Sequence, residues 1–132
     1  MNRSDYSDDT GSPLWRQAVH IATYSKRGQV FLKELLIALD ALPRKELITS
    51  VLQDESGAVC AVGSVGRLRG LSIEENTECD RYEISQLFDI APALAAEIMF
   101  VNDDWYGHVD PATRYIKMRS WVIAHLTNTG KE

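Results

Sequence analysis

The side chains best suited to nucleophilic or acid–base catalysis are scattered along this 132-residue chain. A cysteine nucleophile would require Cys60 to act with His20, His108 or His125 as its base. Cys60 is flanked by valine and alanine, an apolar setting in which a thiol is inert, and no histidine lies in a recognisable motif. No phosphate-binding glycine loop and no serine nucleophile elbow is present. The sequence therefore predicts a protein that is not an enzyme and uses no cofactor.

Residues 102–110 hold oxygen ligands in an order that resembles a metal-binding loop. Asparagine and aspartate precede Gly107, which occupies the sixth position, as in a calcium loop of the EF-hand type. The fifth position, however, is Tyr106, and Thr113 replaces the bidentate glutamate that the twelfth position requires. The two cysteines of the chain fit neither a zinc site nor a disulfide framework, so reduced thiols are expected. The sequence predicts no bound metal.

Charge is unevenly distributed along the chain, whose formal net charge is -5. Residues 72–110 contain ten acids and one base, Arg81. Residues 12–53 contain six bases and three acids, and residues 111–132 contain four bases and one acid, so each of these flanks has a net charge of +3. The acidic middle either docks against the basic flanks within one domain or forms a surface that repels nucleic acid and attracts a basic protein.

Acidic and aromatic side chains meet at Asp103, Asp104, Trp105 and Tyr106, in a segment predicted to be a loop. Buried aromatic anchors carry much of the binding energy at protein interfaces, and acidic neighbours steer a basic partner. We therefore expect this segment to be a protein-binding site. In the alternative interpretation, Trp105 folds back onto the core and the loop only caps the following helix.

A second candidate surface lies on the last predicted helix, where Arg114, Lys117 and Trp121 share one face. An exposed tryptophan beside basic side chains would form a contact patch for a protein partner. In the competing interpretation, Trp121 packs at the edge of the core with lysine methylene groups over it.

Residues 84–94 have the spacing of a helix-turn-helix motif. A helix that reads DNA needs side chains that donate hydrogen bonds to phosphates and base edges. The second helix of this pair, residues 92–99, contains one glutamate and no arginine, lysine, asparagine or glutamine, so nucleic acid is not the expected partner. A DNA-binding regulator is the alternative function, and it would require a dimer that presents a basic surface. That surface would comprise Arg67, Arg69, Arg114 and Lys117.

These candidate sites must be positioned by helices, because apolar residues recur mainly at helical spacing. Helices are predicted over residues 13–24, 29–42, 82–88, 92–101 and 111–126, with loops over 72–80 and 102–109 and a flexible acidic tail over 1–11. Residues 47–62 are ambiguous between a β-hairpin and an irregular piece followed by a helix through Leu68. The sequence thus predicts a mostly α fold in a single helical domain, residues 12–132, with an α+β fold as the alternative.

Nothing in the composition predicts a membrane protein. No apolar run approaches the ~18 residues needed to cross a bilayer, and the polar N-terminus lacks the apolar core of a signal peptide. With 45% hydrophobic residues, the chain can build one core. We therefore expect a cytoplasmic protein.

One combination of short motifs resembles small proteins encoded by phages and prophages. It comprises the Cys-x-x-Gly segment from Cys60 to Gly63, the turn at residues 88–90, and the Asn102-Asp103 pair before a closing helix. The resemblance covers about residues 28–122, and the chain departs from it in the long segment between Asp103 and Asp110. The resemblance implies a phage-type accessory protein that acts inside a bacterial cell. Together with the acidic segment and residues 103–106, it leads to the hypothesis of a non-enzymatic protein that binds a host protein or protein complex in the bacterial cytoplasm, such as an inhibitor of a nucleic-acid-targeting defence system. The resemblance transfers no catalytic residue.

Overall fold

The computed structural model describes residues 4, 6, 11–105 and 108–127 of the chain. These residues form a mostly α structure, as the periodicity predicts. The helices are α1 (Pro13–Tyr24), α2 (Lys26–Ala41), α3 (Ala61–Arg69), α4 (Arg81–Phe88), α5 (Pro92–Phe100), a π-helix (Val101–Trp105) that continues α5, and α6 (Pro111–His125).

The ambiguous segment 47–62 does not form a hairpin. Within the described chain it contains one isolated antiparallel bridge, between Gln53 and Val59, and no β-strand. Helix α3 begins at Ala61 because two backbone N–H groups of its first turn are satisfied by side-chain acceptors. The Asn102 Oδ1 atom accepts a hydrogen bond of 3.2 Å from the Ala61 N–H, and the Cys60 Sγ atom accepts one of 3.3 Å from the Gly63 N–H. The irregular piece followed by a helix is therefore the observed arrangement.

The junction between α1 and α2 is tighter than the sequence predicts. The predicted helices leave a gap over residues 25–28, yet α2 begins at Lys26, because the Ser25 hydroxyl caps it by accepting a hydrogen bond of 3.0 Å from the Gly28 N–H. A β-carbon at Gly28 would lie 2.0 Å from the Ala22 carbonyl oxygen. Glycine inside the first turn of α2 thus permits the two helices to follow each other with a single intervening residue.

Helix α5 lies at the centre of the core and is buried from Leu94 to Met99. It contacts α1, α3 and α4, while α2 contacts α1, α3 and α6. An apolar sequence on all faces is what a helix surrounded by others requires. The acid on this helix, Glu97, is consequently buried as well.

The predicted flexible tail is packed against the domain at the positions that the structure describes. Ser4 is buried, and the Tyr6 hydroxyl donates a hydrogen bond of 2.6 Å to the Glu97 carboxylate. Residues 1–3, 5 and 7–10 lie outside the described residues. At Tyr6 the chain is therefore part of the folded domain, because a phenol can both pack on aromatic rings and bond to a buried carboxylate.

None of the helices in the described ranges is long and apolar enough to cross a bilayer by itself. The bent pair Arg81–Phe88 and Pro92–Trp105 reaches that length and composition only when its two parts are taken together.

Candidate protein-binding surface

The π-helix presents the segment that the sequence predicts to bind a protein, and it replaces the first half of the expected loop over 102–109. Its geometry depends on Asn102, which is fully buried. The Asn102 amide donates hydrogen bonds to the Ile48 carbonyl at 3.0 Å and to the Asp103 carboxylate at 2.8 Å. Because its oxygen also caps α3, this side chain fixes the helical backbone against residues 48–61.

Asp103, Asp104 and Trp105 follow directly, but they differ in their surroundings. Asp103 is partly buried, and its carboxylate accepts a hydrogen bond of 3.0 Å from the Ser50 N–H. The backbone of Ser50 adopts a φ of 75°. The Asp103 carboxylate therefore holds the neighbouring turn in place. Asp104 is exposed, and the Trp105 side chain is 53% exposed. Tyr106, the fourth predicted site residue, lies outside the described residues.

Trp105 stands at one end of a continuous row of rings. Its ring centroid lies 6.4 Å from that of Phe100, which lies 4.8 Å from Tyr6. Tyr6 makes an edge contact with Trp15 at 5.8 Å. Each of these distances is within the range in which aromatic pairs attract each other. The row therefore connects the π-helix to α1 through the N-terminal segment.

Arg81 extends this row to a second exposed aromatic residue. Its guanidinium lies 4.8 Å from the Trp15 ring, 6.0 Å from the Tyr6 ring and 5.9 Å from the Tyr82 ring. Cation–π attraction to these rings contributes to stabilising the buried guanidinium. The Tyr82 side chain is 60% exposed, so the row has a solvent-exposed ring at each end, Trp105 and Tyr82.

The Tyr82 end lies in an acidic segment of the chain, residues 74–83. Asp80 and Glu83 form a reciprocal capping box at the start of α4, with bonds of 2.9 Å in each direction. Within the described ranges, no ion pair involves any of the exposed carboxylates of this segment. They are Glu74, Glu75, Glu78, Asp80 and Glu83.

Sequence reasoning identified the Trp105 end of this surface and missed Tyr6 and Tyr82. Tyr82 had a recognisable signal, since it lies two residues after the N-cap Asp80, where a helix side chain is commonly solvated. Tyr6 had none, because its partners Trp15, Glu97 and Phe100 are remote from it in the sequence.

The alternative patch on α6 is not a continuous exposed surface. Arg114 is 6% exposed and donates hydrogen bonds to the Leu47 and Val109 carbonyls at 2.6 and 2.7 Å, and this burial lowers its pKa. Trp121 is 7% exposed and stacks on His125, with a centroid distance of 4.4 Å. Lys117 alone of the three is exposed. Arg114 faces inward because α6 packs against Leu47, a contact that helical periodicity does not reveal.

The residues considered for catalysis are not brought together. Cys60 is buried at the start of α3. His20 and His125 line a cleft of about 180 Å³ with Arg16, Tyr24 and Glu97. The Glu97 carboxylate in that cleft is already occupied by Arg16 and Tyr6. His108 is exposed in the segment before α6. Among the described residues, no three His, Cys, Asp or Glu side chains are grouped so that they could hold a metal ion.

Helices α4 and α5 have the geometry of a helix-turn-helix pair, but the second helix is not exposed to solvent as a DNA-reading helix must be. The chain bends by 115° between Arg81–Phe88 and the helical stretch that starts at Pro92, within the range found in such motifs. The bend is made at Asp89, which adopts a φ of 58°. However, α5 is the buried central helix, so its side chains are not available to enter a DNA groove. The pair is a packing unit of the core.

In comparisons with known proteins, no family model, curated protein or solved structure matches this chain.

Proposed function

We propose that this protein is a non-enzymatic binding protein that docks on a basic surface of another protein. The observation that carries the proposal is the row of rings from Trp105 to Tyr82, which is exposed at both ends. Its Tyr82 end lies in the segment of Glu74, Glu75, Glu78, Asp80 and Glu83, exposed carboxylates that take part in no ion pair within the described ranges. Exposed aromatic rings supply apolar anchors, and the acidic segment supplies attraction to a basic partner.

The rigidity of this surface supports the same proposal. The ring of Trp105 is carried by a π-helix that Asn102 fixes to residues 48–61, and Tyr82 is in the first turn of a capped helix. An anchor that is already held in place loses less conformational entropy when it binds. The negative charge of the acidic side chains adds specificity, because it attracts a basic partner and repels nucleic acid.

The resemblance to phage and prophage accessory proteins supports a host protein or protein complex in the bacterial cytoplasm as the partner. Within that class, a nucleic-acid-targeting defence complex fits best, because its nucleic-acid channel is basic and an acidic surface could occupy it. In this proposal the chain acts as an inhibitor that competes with nucleic acid for a positively charged surface.

Affinity capture from a bacterial lysate tests the proposal. The full chain, immobilised at low salt, is expected to retain a partner, and capture should weaken steeply as salt is added, since exposed charges are then screened. Trp105→Ala and Tyr82→Ala should each weaken binding by at least ~2 kcal/mol, the typical loss for an aromatic anchor. The matched control is Ile37→Ala, which truncates an exposed apolar residue on α2.

Two outcomes would contradict the proposal. One is the absence of any partner at low salt. The other is a partner whose capture survives both aromatic substitutions. A nucleic-acid competition assay on the captured partner then tests separately whether the chain is an inhibitor. If the chain binds the partner but does not displace nucleic acid, the proposed docking is supported and the proposed inhibition is not.

A further inference from the structure

We propose that the groove between α2 and α3, centred on Arg67, binds a polypeptide segment in which a carboxylate lies next to aliphatic side chains. This groove shares no residue with the surface from Trp105 to Tyr82. The proposal therefore describes a second binding site and does not depend on the function proposed above.

Arg67 differs in its surroundings from the arginines that ion pairs hold in place. Arg16, Arg27, Arg69 and Arg119 are each bonded to a carboxylate of another helix or its cap: Glu97, Asp89, Glu34 and Asp40. In the part of the chain that the structure describes, no carboxylate lies within ion-pair distance of Arg67. Its one hydrogen-bond contact is a long one, 3.5 Å from Nη1 to the Gly57 carbonyl. A guanidinium so placed retains donors for both oxygens of an incoming carboxylate.

Two clefts of about 250 Å³ each meet at Arg67. One lies between the segment after α2 and the turn at residues 56–59, with Leu42 and Val59 on its walls. The other lies between α2 and α3, where Ala38, Ala41 and Ser64 leave space beside Leu68. Leu42 and Arg67 line both clefts. The guanidinium is therefore flanked on two sides by spaces whose walls include aliphatic side chains.

This arrangement favours a polypeptide over a small acid. A small carboxylic acid that bonds to Arg67 fills one cleft, whereas a peptide can place the side chains on both sides of an acidic residue into both clefts. Charge also selects the occupant. The chain as a whole carries a net charge of -5, but the first cleft is lined by two bases, Arg44 and Arg67, and one acid, Glu46, so its charge is positive. Arg44 is highly exposed and 3.3 Å from Glu46, a screened contact that holds it weakly.

Titration of the ¹⁵N-labelled full chain, followed by amide chemical shifts, tests the inference. The probes are acetyl-Leu-Glu-Leu-amide, its Leu-Gln-Leu analogue, hexanoate and inorganic phosphate. The Glu peptide is expected to shift the amide signals of Leu42, Gly57 and Arg67 in a saturable manner, and the Gln analogue should bind about tenfold more weakly, as loss of a charge-assisted bond implies. Hexanoate should bind more weakly than the peptide, and phosphate should leave the signals of the apolar walls unshifted.

Two variants make the result specific to the groove. Arg67→Gln removes the guanidinium from an exposed position, and Ala41→Leu fills the second cleft while leaving Arg67 in place. Both should weaken peptide binding by about tenfold or more, whereas Lys26→Gln, which removes an exposed positive charge elsewhere on α2, should not. Amide spectra of the free variants establish that each is folded.

Three results would overturn the inference. They are the absence of saturable shifts with the Glu peptide, binding that Arg67→Gln leaves unchanged, and hexanoate or phosphate binding as tightly as the peptide. The last result would show a site for small anions.

Discussion

Arg16 on α1 and Glu97 on α5, which are 81 residues apart in the chain, form a two-pronged ion pair in which both nitrogen–oxygen distances are 2.9 Å. The two ends of this pair differ in exposure, since Glu97 is 5% exposed and the Arg16 side chain is about half exposed. The Tyr6 hydroxyl donates a further hydrogen bond to the same carboxylate. Glu97 thus joins the N-terminal segment and α1 to the buried central helix.

Replacing Glu97 with glutamine is expected to destabilise the fold by about 1–3 kcal/mol, because a buried carboxylate loses its charge-assisted bonds while Arg16 can turn to water. Chemical denaturation at neutral pH measures the difference. Glu75→Gln is the matched control, since Glu75 is exposed and takes part in no ion pair in the described chain. Equal stability of the two variants would show that Glu97 does not anchor α1.

Tyr6→Phe tests the same network through its pH dependence. Burial, reinforced by the hydrogen bond to Glu97, raises the pKa of the Tyr6 phenol above its ordinary value. A raised pKa in the folded state means that the phenol stabilises the fold fully below the ordinary tyrosine pKa of about 10, and that this stabilisation is lost as the pH rises above that value.

The wild-type chain should therefore exceed Tyr6→Phe in stability by about 0.5–1.5 kcal/mol at neutral pH, the usual contribution of one hydrogen bond. This advantage should stay constant up to about pH 10 and shrink as the pH rises from about 10 to about 12. Melting temperatures across that range provide the measurement, with Tyr82→Phe on an exposed ring as the control. A wild-type advantage that does not change with pH would contradict the assigned role of the phenol.

The helices were predictable where their end signals are local. A polar residue before a proline marks the start of α1 at Ser12-Pro13 and of α6 at Asp110-Pro111. In both cases the polar side chain caps the helix by accepting a hydrogen bond from a backbone N–H of the first turn. The start of α2 and the π-helix were missed. The start of α2 depends on the close approach of the Gly28 backbone to that of Ala22. The π-helix depends on hydrogen bonds between Asn102 and residues that are distant in the sequence, Ile48 and Ala61.

The candidate surface was predictable in part for the same reason. Composition alone identifies Trp105 beside two acids, and the ring is indeed largely exposed. The rest of the row requires Tyr6, Trp15 and Arg81 to meet, which only the packing of α1, α4 and α5 brings about. The position of the row thus follows from tertiary contacts that have no periodic signature in the sequence.

The close approach of α3 to residue 52 gives a prediction about two glycines of the Gly63-Ser64-Val65-Gly66 segment. A β-carbon at Gly63 would lie 2.0 Å from the Leu52 carbonyl oxygen, a backbone atom that cannot move aside. A β-carbon at Gly66 would instead meet the Cδ1 atom of Ile73 at 2.6 Å, the flexible end of a side chain. Gly63→Ala should therefore destabilise by about 2 kcal/mol or more and Gly66→Ala by less, as overpacking costs depend on how readily the neighbour shifts. Urea denaturation of the two variants compares them directly, and the reverse order would show that α3 does not pack on Leu52 as described.

Glu34 and Arg69 connect α2 to α3 through two hydrogen bonds of 2.6 and 2.8 Å, and the two side chains are 26% and 31% exposed. The bond from Arg69 lowers the pKa of the Glu34 carboxyl. A lowered pKa in the folded state means that the pair stabilises the fold above the ordinary glutamate pKa of about 4.3, and that this stabilisation is lost as the pH falls through the folded-state value.

Glu34→Gln should therefore cost about 1 kcal/mol at neutral pH and nothing in strong acid, where the wild-type carboxyl is protonated as well. Denaturation at about pH 7 and at about pH 2 makes the comparison. Glu55→Gln is the control, because Glu55 is exposed and takes part in no ion pair within the described ranges. If the cost of Glu34→Gln were the same at both pH values, its origin would be lost packing between α2 and α3, and the ion pair would contribute nothing to the fold.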